Sequence, residues 1–403
     1  MGRRVVITAM GVISSLGSTS HAIRRGLQSE RVAFQYAQCE PSCVVAPVAG
    51  FDVRQYTGRH KSLRYLHRGA SMAAAAAAVA VRNAGLGDDA REAAGIFVGA
   101  GPNLDIGGQG PAIEAGRIQE SHLSALWILK FLPNTAASVI ARMNGLHGDN
   151  LTVANACAAS LQAVGEAFRK VRHGGLDVAL AGGGDSRLSA GALLAYHKAR
   201  ALYAGDGVPH TASRPFDQAR KGFVPGEGGA FFVLESAGHA AARGARVLAE
   251  VCGYGATMDG YAMTAPRPDG RWAQRAVRNA LEDARLTPRQ VGLIAAHGTS
   301  TPLNDGVEAR LIDRIFGVQR PLVAAIKSWI GHLAAACGAV ELAVCLTAFE
   351  SGVWPVVRNL ETPCSPQLNY LRSPDAKPSG ALLMQNFGFG GQNAALVVKP
   401  WQP

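Results

Sequence analysis

Two stretches of this chain follow one plan, and that repetition limits the folds open to it. Leu151–Val153 is an apolar run that reaches Asn155-Ala-Cys157, and a helical pattern starts at once, with Leu161, Val164, Ala167 and Phe168 on one face. Leu322–Ile326 is a second apolar run, which leads into Lys327 and then a small-residue helical pattern over Leu333–Phe349. The surrounding order repeats too. The strand expected at 4–10 is mirrored by Val247–Tyr254. Ala93–Val98 ends in Gly99-Ala-Gly101, and Val291–Ala296 ends in His297-Gly-Thr-Ser-Thr301. Asp177–Ala181 runs into glycines, and Ala381–Gln385 runs into the Gly turn at Phe387–Gly391. Ala230–Glu235 and Ala394–Val398 are further strands. The match is of pattern rather than identity, and it predicts an internal duplication with two equivalent sheets. Strands alternating with helices predict parallel-rich α/β architecture. The halves divide as 1–240 and 241–403.

Ligands in such sheets bind beyond the carboxyl ends of strands. Cys157, His297, Lys327 and Phe389 all occupy such ends, and His332 follows close behind Lys327. A cysteine where a helix begins faces outward N–H groups and the positive end of the helix dipole. That placement predicts a lowered thiol pKa and a nucleophilic thiolate. Each residue alone has a plainer reading. Cys157 could be a small buried apolar residue, His297 a turn residue, His332 a helix start and Lys327 a solvated charge. Thr299 and Thr301 could be turn hydroxyls. Their joint pattern carries the argument.

Composition narrows the classes. A chain of 403 residues, 48% hydrophobic and 17% charged, can build a large core. The formal charge is +11, yet no basic run marks a nucleic-acid tail. The excess suits an acidic partner or a solvated basic surface. The seven cysteines are scattered, with no CxxC pair or metal-ligand spacing. Reduced thiols of a cytoplasmic protein are expected, with no metal. No apolar stretch is expected to span a membrane; the alanine run Ala73–Ala78 is bracketed by Arg68 and Arg82. Residues 62–85 read as one helix stopped by Gly85. Lys61, Arg64 and Arg68 are spaced for one helical face, either as a docking patch or as a solvated face.

The motifs Asn155-Ala-Cys157-Ala-Ala-Ser160, Ser213-Arg-Pro-Phe-Asp217, Gly222-Phe-Val-Pro-Gly-Glu-Gly228, His297-Gly-Thr-Ser-Thr-Pro302, Lys327-Ser-Trp-Ile-Gly-His332 and Asn386-Phe-Gly-Phe-Gly-Gly391 appear in this order. Together they resemble the β-ketoacyl-acyl carrier protein synthases, elongating type II ketosynthases of the thiolase superfamily. The resemblance implies a thiolase-like duplicated fold with five layers, α-β-α-β-α. It implies an acyltransferase that condenses a Cys157-bound acyl chain with a malonyl unit, in fatty acid or polyketide elongation. His297 and His332 would promote decarboxylation. Lys327 would hold the site's electrostatics, and Glu308 would support it. Thr299 and Thr301 would hydrogen-bond the phosphopantetheine arm of an acyl carrier protein, with no cofactor intrinsic to the chain. Phe389 would gate the site, and the N–H groups of Cys157 and Phe389 would form the oxyanion hole. Lys61, Arg64 and Arg68 would dock the carrier.

The resemblance further implies a dimer in which the strand at 177–181 pairs across a two-fold. Its partner is a second copy or a related ketosynthase-like, chain-length-determining subunit. Asn155 and Gln392 stand where threonine is usual in the family. A thiolase-like enzyme using coenzyme A would need a second catalytic cysteine near the C-terminus. The last cysteine, Cys364, lies in a Pro-flanked loop.

Overall fold

The structure is a computed structural model that describes residues 2–105, 113–120 and 123–402. Part of the segment read as loop and helix over 103–135 therefore lies outside the described residues. The strands of the main sheet are β1 (Val5–Ile13), β2 (Gly95–Gly99), β3 (Asn150–Val153), β4 (Val178–Ser186) and β5 (Glu227–Ser236) in the first half. The second half holds β6 (Ala249–Met258), β7 (Val291–Ala295), β8 (Leu322–Ala324), β9 (Asn369–Tyr370), β10 (Ala381–Gly388) and β11 (Gln392–Pro400). They form one 11-stranded sheet in the order β9-β8-β7-β10-β11-β6-β1-β5-β4-β2-β3. From the centre outward the first five strands of each half run in the same directions, and β9 adds a further parallel edge to the second half. β1 pairs antiparallel with β5, β5 antiparallel with β4, then β4-β2-β3 are parallel. β6, β11, β10, β7 and β8 repeat that sequence of directions.

The expectation of two separate sheets needs one refinement. β1 and β6 pair antiparallel at Val5–Ile7 against Ala249–Val251, so the two leaves share a seam. Side-chain alternation along each strand builds the layers. Ala230, Phe232 and Leu234 of β5 face the central layer, while Phe231 and Val233 face outward. In the second leaf Leu382 and Met384 face the centre, and Ala381 and Leu383 face outward. Helices α1 (Arg68–Ala84) and α2 (Thr135–Asn144) cover the first leaf. Helices α4 (Arg271–Asp283) and α5 (Pro302–Phe316) cover the second. Helices α3 (Ala159–Arg172) and α6 (Cys337–Ser351) lie between the leaves. Five α-β-α-β-α layers result.

The duplication extends to single residues. A Cβ on Gly11 of β1 would come 2.1 Å from the Ala76 carbonyl of α1, and one on Gly255 of β6 would come 2.2 Å from the Ala276 carbonyl of α4. Each outer helix thus crosses bare backbone, which only glycine permits.

Three expectations change. The helix read over 62–85 begins at Arg68; Lys61–Tyr65 is a separate 3-10 turn, and Leu66 and His67 are extended. The His67 ring accepts the Ala70 N–H at 3.4 Å and caps the true start. Lys61, Arg64 and Arg68 therefore do not share a helical face. Second, Ala334–Ser351 is apolar and long enough by composition to cross a membrane, with mean hydropathy 1.4, but 83% of it is buried inside the fold. A helix apolar on all sides suits a layer covered on both faces. Third, β4, which contains most of the 177–181 run, has β2 on one side and β5 on the other, so it has no edge left for a partner. The open edge of the first leaf is β3.

Candidate active site

The site forms where both halves end in turns at the same end of the central layer. β3 leads into a 3-10 turn, Ala156–Ala158, before α3. Ala156 takes a left-handed φ of 47°, and Cys157 on that turn is 9% exposed. The β10–β11 hairpin closes over it. A Cβ on Gly388 would lie 3.1 Å from the Cys157 nitrogen, so a larger residue would push the hairpin away. The Phe389 N–H faces the Cys157 sulfur.

His297 follows β7 and is 2% exposed. Its backbone N–H donates to Glu308 Oε1 at 2.6 Å, and the Gly298 N–H donates to Oε2 at 2.8 Å. The Gln385 and Asn304 amides also donate to Glu308, at 2.6 and 3.1 Å. Glu308 therefore braces the turn that carries His297 rather than bonding to Lys327. The partner of Lys327 is Glu341 of α6; both side chains are 1% exposed and form an ion pair. Glu341 Oε2 accepts the Asn386 amide at 2.9 Å, and the same Nδ2 lies 3.3 Å from His297 Nδ1. His332 Nδ1 accepts the Ala334 N–H at 3.0 Å. The two imidazole rings stand 5.6 Å apart at 80°. The Cys157 sulfur and one nitrogen from each histidine lie within 4.8 Å of one another. Such a trio could ligate a soft metal by distance, but the neighbouring Lys327 ammonium opposes a cation there.

Burial dominates the electrostatics. It lowers His332 to about 3 and His297 well below the ordinary range, with Lys327 adding to both. Both rings are neutral at physiological pH. Burial also works against the Lys327 charge, but Glu341 overcomes it and holds the ammonium above its usual value. Burial pushes Glu308 up to about 7, against the pull of its N–H donors. The Cys157 thiol goes up to about 11; burial raises it, while Lys327 and the Phe389 N–H pull it back. The lowered thiol expected from a helix start is therefore not found in the resting site, because desolvation outweighs the favourable charges. Cys157 rests as a thiol.

A cavity of about 510 Å³ reaches Cys157, His297 and His332, and Tyr196, Phe223 and Phe389 line it. Thr299 and Thr301 lie on its wall, their hydroxyls 2.9 Å apart. Thr301 also caps α5 through the Asn304 N–H. Arg200 and Lys221 line it too and are exposed. Of the expected docking residues, Arg68 is committed elsewhere: its guanidinium bonds buried Glu227 through Nε and Nη2, both at 2.6 Å. Lys61 and Arg64 are exposed and do not line this cavity.

The Ser213–Asp217 motif is scaffolding. Ser213 Oγ donates to the Lys327 carbonyl at 3.1 Å, and the Phe216 N–H donates to Asp305 at 2.8 Å. The sequence reading missed Glu341 and the bonds of Asn386. One signal was available for Glu341, a charged residue within the apolar run Cys337–Phe349. It also looked for a second cysteine at Cys364, whereas the one near the site is Cys337. The Cys337 sulfur lies 3.7 Å from His332 Nδ1, but it is fully buried and does not line the cavity.

The chain matches two family descriptions, "Beta-ketoacyl synthase, N-terminal domain" over residues 2–240 and "Beta-ketoacyl synthase, C-terminal domain" over 248–361. It is 34% identical to the 3-oxoacyl-[acyl-carrier-protein] synthase 2 of Synechocystis sp., covering 99% of both chains. It is 33% identical to that of Vibrio cholerae, covering 98% of this chain and 99% of the relative. Among solved structures, the ishigamide ketosynthase/chain length factor superposes with a TM-score of 0.87 at 30% identity, over 100% of both chains. A β-ketoacyl synthase from Burkholderia phymatum gives 0.86 at 29%, covering 99% of this chain and 100% of that one. A cysteine and two neutral histidines beneath a glycine-rich hairpin, in a duplicated five-layer fold that these relatives share, place this chain in the β-ketoacyl synthase family.

Proposed function

We propose that the chain performs decarboxylative Claisen condensation between an acyl group on Cys157 and a malonyl unit on an acyl carrier protein. One observation carries this reading: the Cys157 sulfur and a nitrogen of each neutral histidine lie within 4.8 Å of one another at the foot of a deep cavity. In the first step the sulfur bonds the acyl carbonyl carbon, the bond to the carrier's thiol breaks, and the Cys157 proton ends on the departing thiolate. The Cys157 and Phe389 N–H groups hold the oxyanion. In the second step the malonyl carboxylate leaves as CO2, and its electron pair becomes an enolate. The free N–H of each histidine donates to that enolate oxygen. The enolate carbon attacks the Cys157 thioester, the C–S bond breaks, and the thiolate takes up one proton from solvent. Lys327 with Glu341, and Glu308, hold these groups in place. Thr299 and Thr301 hydrogen-bond the phosphopantetheine arm. Carrier docking falls to the cavity rim, with Arg200 and Lys221.

The assembly is a dimer through the open edge of β3, where Leu151 is 40% exposed. The partner is a second copy or a related subunit, and the ishigamide ketosynthase/chain length factor, an assembly of that kind by name, is among the solved structures it matches. Seven free cysteines suit the cytoplasm.

The test combines mass spectrometry of the chain after exposure to an acyl-carrier thioester with release of CO2 from malonyl-carrier. Acyl mass on Cys157 and loss of CO2 release in His297→Ala and His332→Ala are expected. Acylation of another cysteine instead overturns the reading.

A further inference from the structure

Among the site's side chains, Asn386 opens a motif and yet has no part in the reaction just described. It is fully buried, at 0% exposure. Its Nδ2 lies 2.9 Å from Glu341 Oε2 and 3.3 Å from His297 Nδ1, while its Oδ1 has no partner among the described residues. We propose that Asn386 is a positioning residue that sets the tautomer of His297, so that the proton sits on Nε2 and points at the substrate oxygen. The proposal rests on the enolate-binding role given above to that ring.

The argument is one of donors and acceptors. Glu341 is paired with Lys327 as a carboxylate, and a carboxylate only accepts. Turning the amide over would set Oδ1 against that carboxylate, two acceptors face to face. The Nδ2 group is therefore held toward Glu341, which leaves its second hydrogen for His297 Nδ1. An amide N–H needs a lone pair there, so Nδ1 is unprotonated and the ring proton resides on Nε2. A protonated Nδ1 would meet the amide hydrogens head on, so Asn386 also opposes the imidazolium. His332 reaches the same tautomer by a different route, since its Nδ1 accepts a backbone N–H from Ala334 at 3.0 Å. One histidine is thus set by the main chain and the other by a side chain tied to the Lys327–Glu341 pair. The charged groups facing His297 are Lys327 and, through its backbone, Glu308; His332 is its neutral neighbour.

The test is nitrogen NMR of protein labelled with 15N-histidine, with His297 assigned by its loss in His297→Ala. The parent at neutral pH is expected to show His297 protonated at Nε2. In Asn386→Leu the Nδ1-protonated form should appear. CO2 release from malonyl-carrier should fall by about 10²-fold, with acylation of Cys157 changed by less than about threefold. Rescue of CO2 release is not expected from Asn386→Asp, whose carboxylate should draw the proton onto Nδ1. That near-isosteric variant also serves if Asn386→Leu does not fold. An Nδ1-protonated parent, or an unchanged Nε2 signal in the substituted protein, overturns the proposal. A parent that releases no CO2 would instead bring down the condensation reading and leave the tautomer result standing.

Discussion

Ala156 and Ala334 hold the same left-handed backbone conformation, φ 47° and 44°, at the same point of the two repeats. Each begins the 3-10 turn that precedes a central helix, α3 in one half and α6 in the other. The position that is Cys157 after Ala156 is Ala335 after Ala334. The second half thus keeps the nucleophile's turn without the nucleophile, and its Ala334 N–H orients His332 instead.

That relationship yields a first prediction. A left-handed alanine costs about 1 kcal/mol against glycine. Ala156→Gly and Ala334→Gly should each raise the urea unfolding free energy by up to ~1 kcal/mol. Ala156→Val, with a branched side chain at positive φ, should lose Cys157 acylation. Equal acylation by Ala156→Val and the parent would show that the turn's geometry is not needed.

A thiol pushed up to about 11 has a distinct pH signature. Below that value the thiolate fraction grows tenfold per pH unit. Alkylation of Cys157 by neutral iodoacetamide should therefore keep rising from pH 7 to 10 with a slope near one in logarithmic units. A plateau near pH 8.5, the value of a free thiol, contradicts the buried resting thiol.

The buried histidines make stability depend on acid. His332 titrates near 3 in the fold but near 6.5 when unfolded. The unfolded chain binds the extra proton, so this stability is intact above pH 6.5 and is lost as pH falls toward 3. The loss is about 1.4 kcal/mol per pH unit for this one group. His332→Ala should flatten the fall in unfolding free energy between pH 6.5 and 4. An unchanged slope would mean that His332 is already charged in the fold.

Lys327 and Glu341 should behave as one unit. Lys327→Met strands a buried carboxylate and should cost ~3–5 kcal/mol. Adding Glu341→Leu should recover most of that loss, measured by urea denaturation. Decarboxylation should stay low in the double variant, because Asn386 has then lost its anchor.

Arg68 and the cavity rim should separate cleanly. Arg68→Glu deprives Glu227 of its cation and should cost ~1.5–3 kcal/mol of stability. Arg200→Glu with Lys221→Glu should leave stability unchanged, raise KM for acyl-carrier several-fold and flatten its salt dependence. A rim variant that works as well as the parent at low salt places docking elsewhere, with Lys61→Glu and Arg64→Glu the next to measure.

Much of the site was legible because strand ends read clearly in one dimension. Cys157, His297, Lys327 and the Phe389 turn each follow an apolar run, and the fold brings those ends together. What stayed hidden depends on contacts between distant segments. Glu308 was expected to support Lys327, and its hydrogen bonds to the His297 and Gly298 N–H groups could not be read from the string. Glu341 is marked only as a charge in an apolar run, and its partner Lys327 comes from a separate turn. Arg68 looked like a surface charge until Glu227, far along the chain, came to meet it. The helix start near Arg68 was misread because residues three apart, such as Lys61 and Arg64, are neighbours in a 3-10 turn as well as in an α-helix.

The sequence by itself determined the duplication, the order of strands and helices, and which residue types line the cavity. Periodicity and turn residues are local properties, and they survive in a string of letters. Tertiary structure decided the protonation states and the partners. Desolvation, which raises Cys157 and lowers both histidines, exists only once α3, α6 and the closing hairpin exclude water. The ion pair of Lys327 with Glu341, and the reach of Asn386 to His297, likewise exist only where the second leaf folds against the central helices.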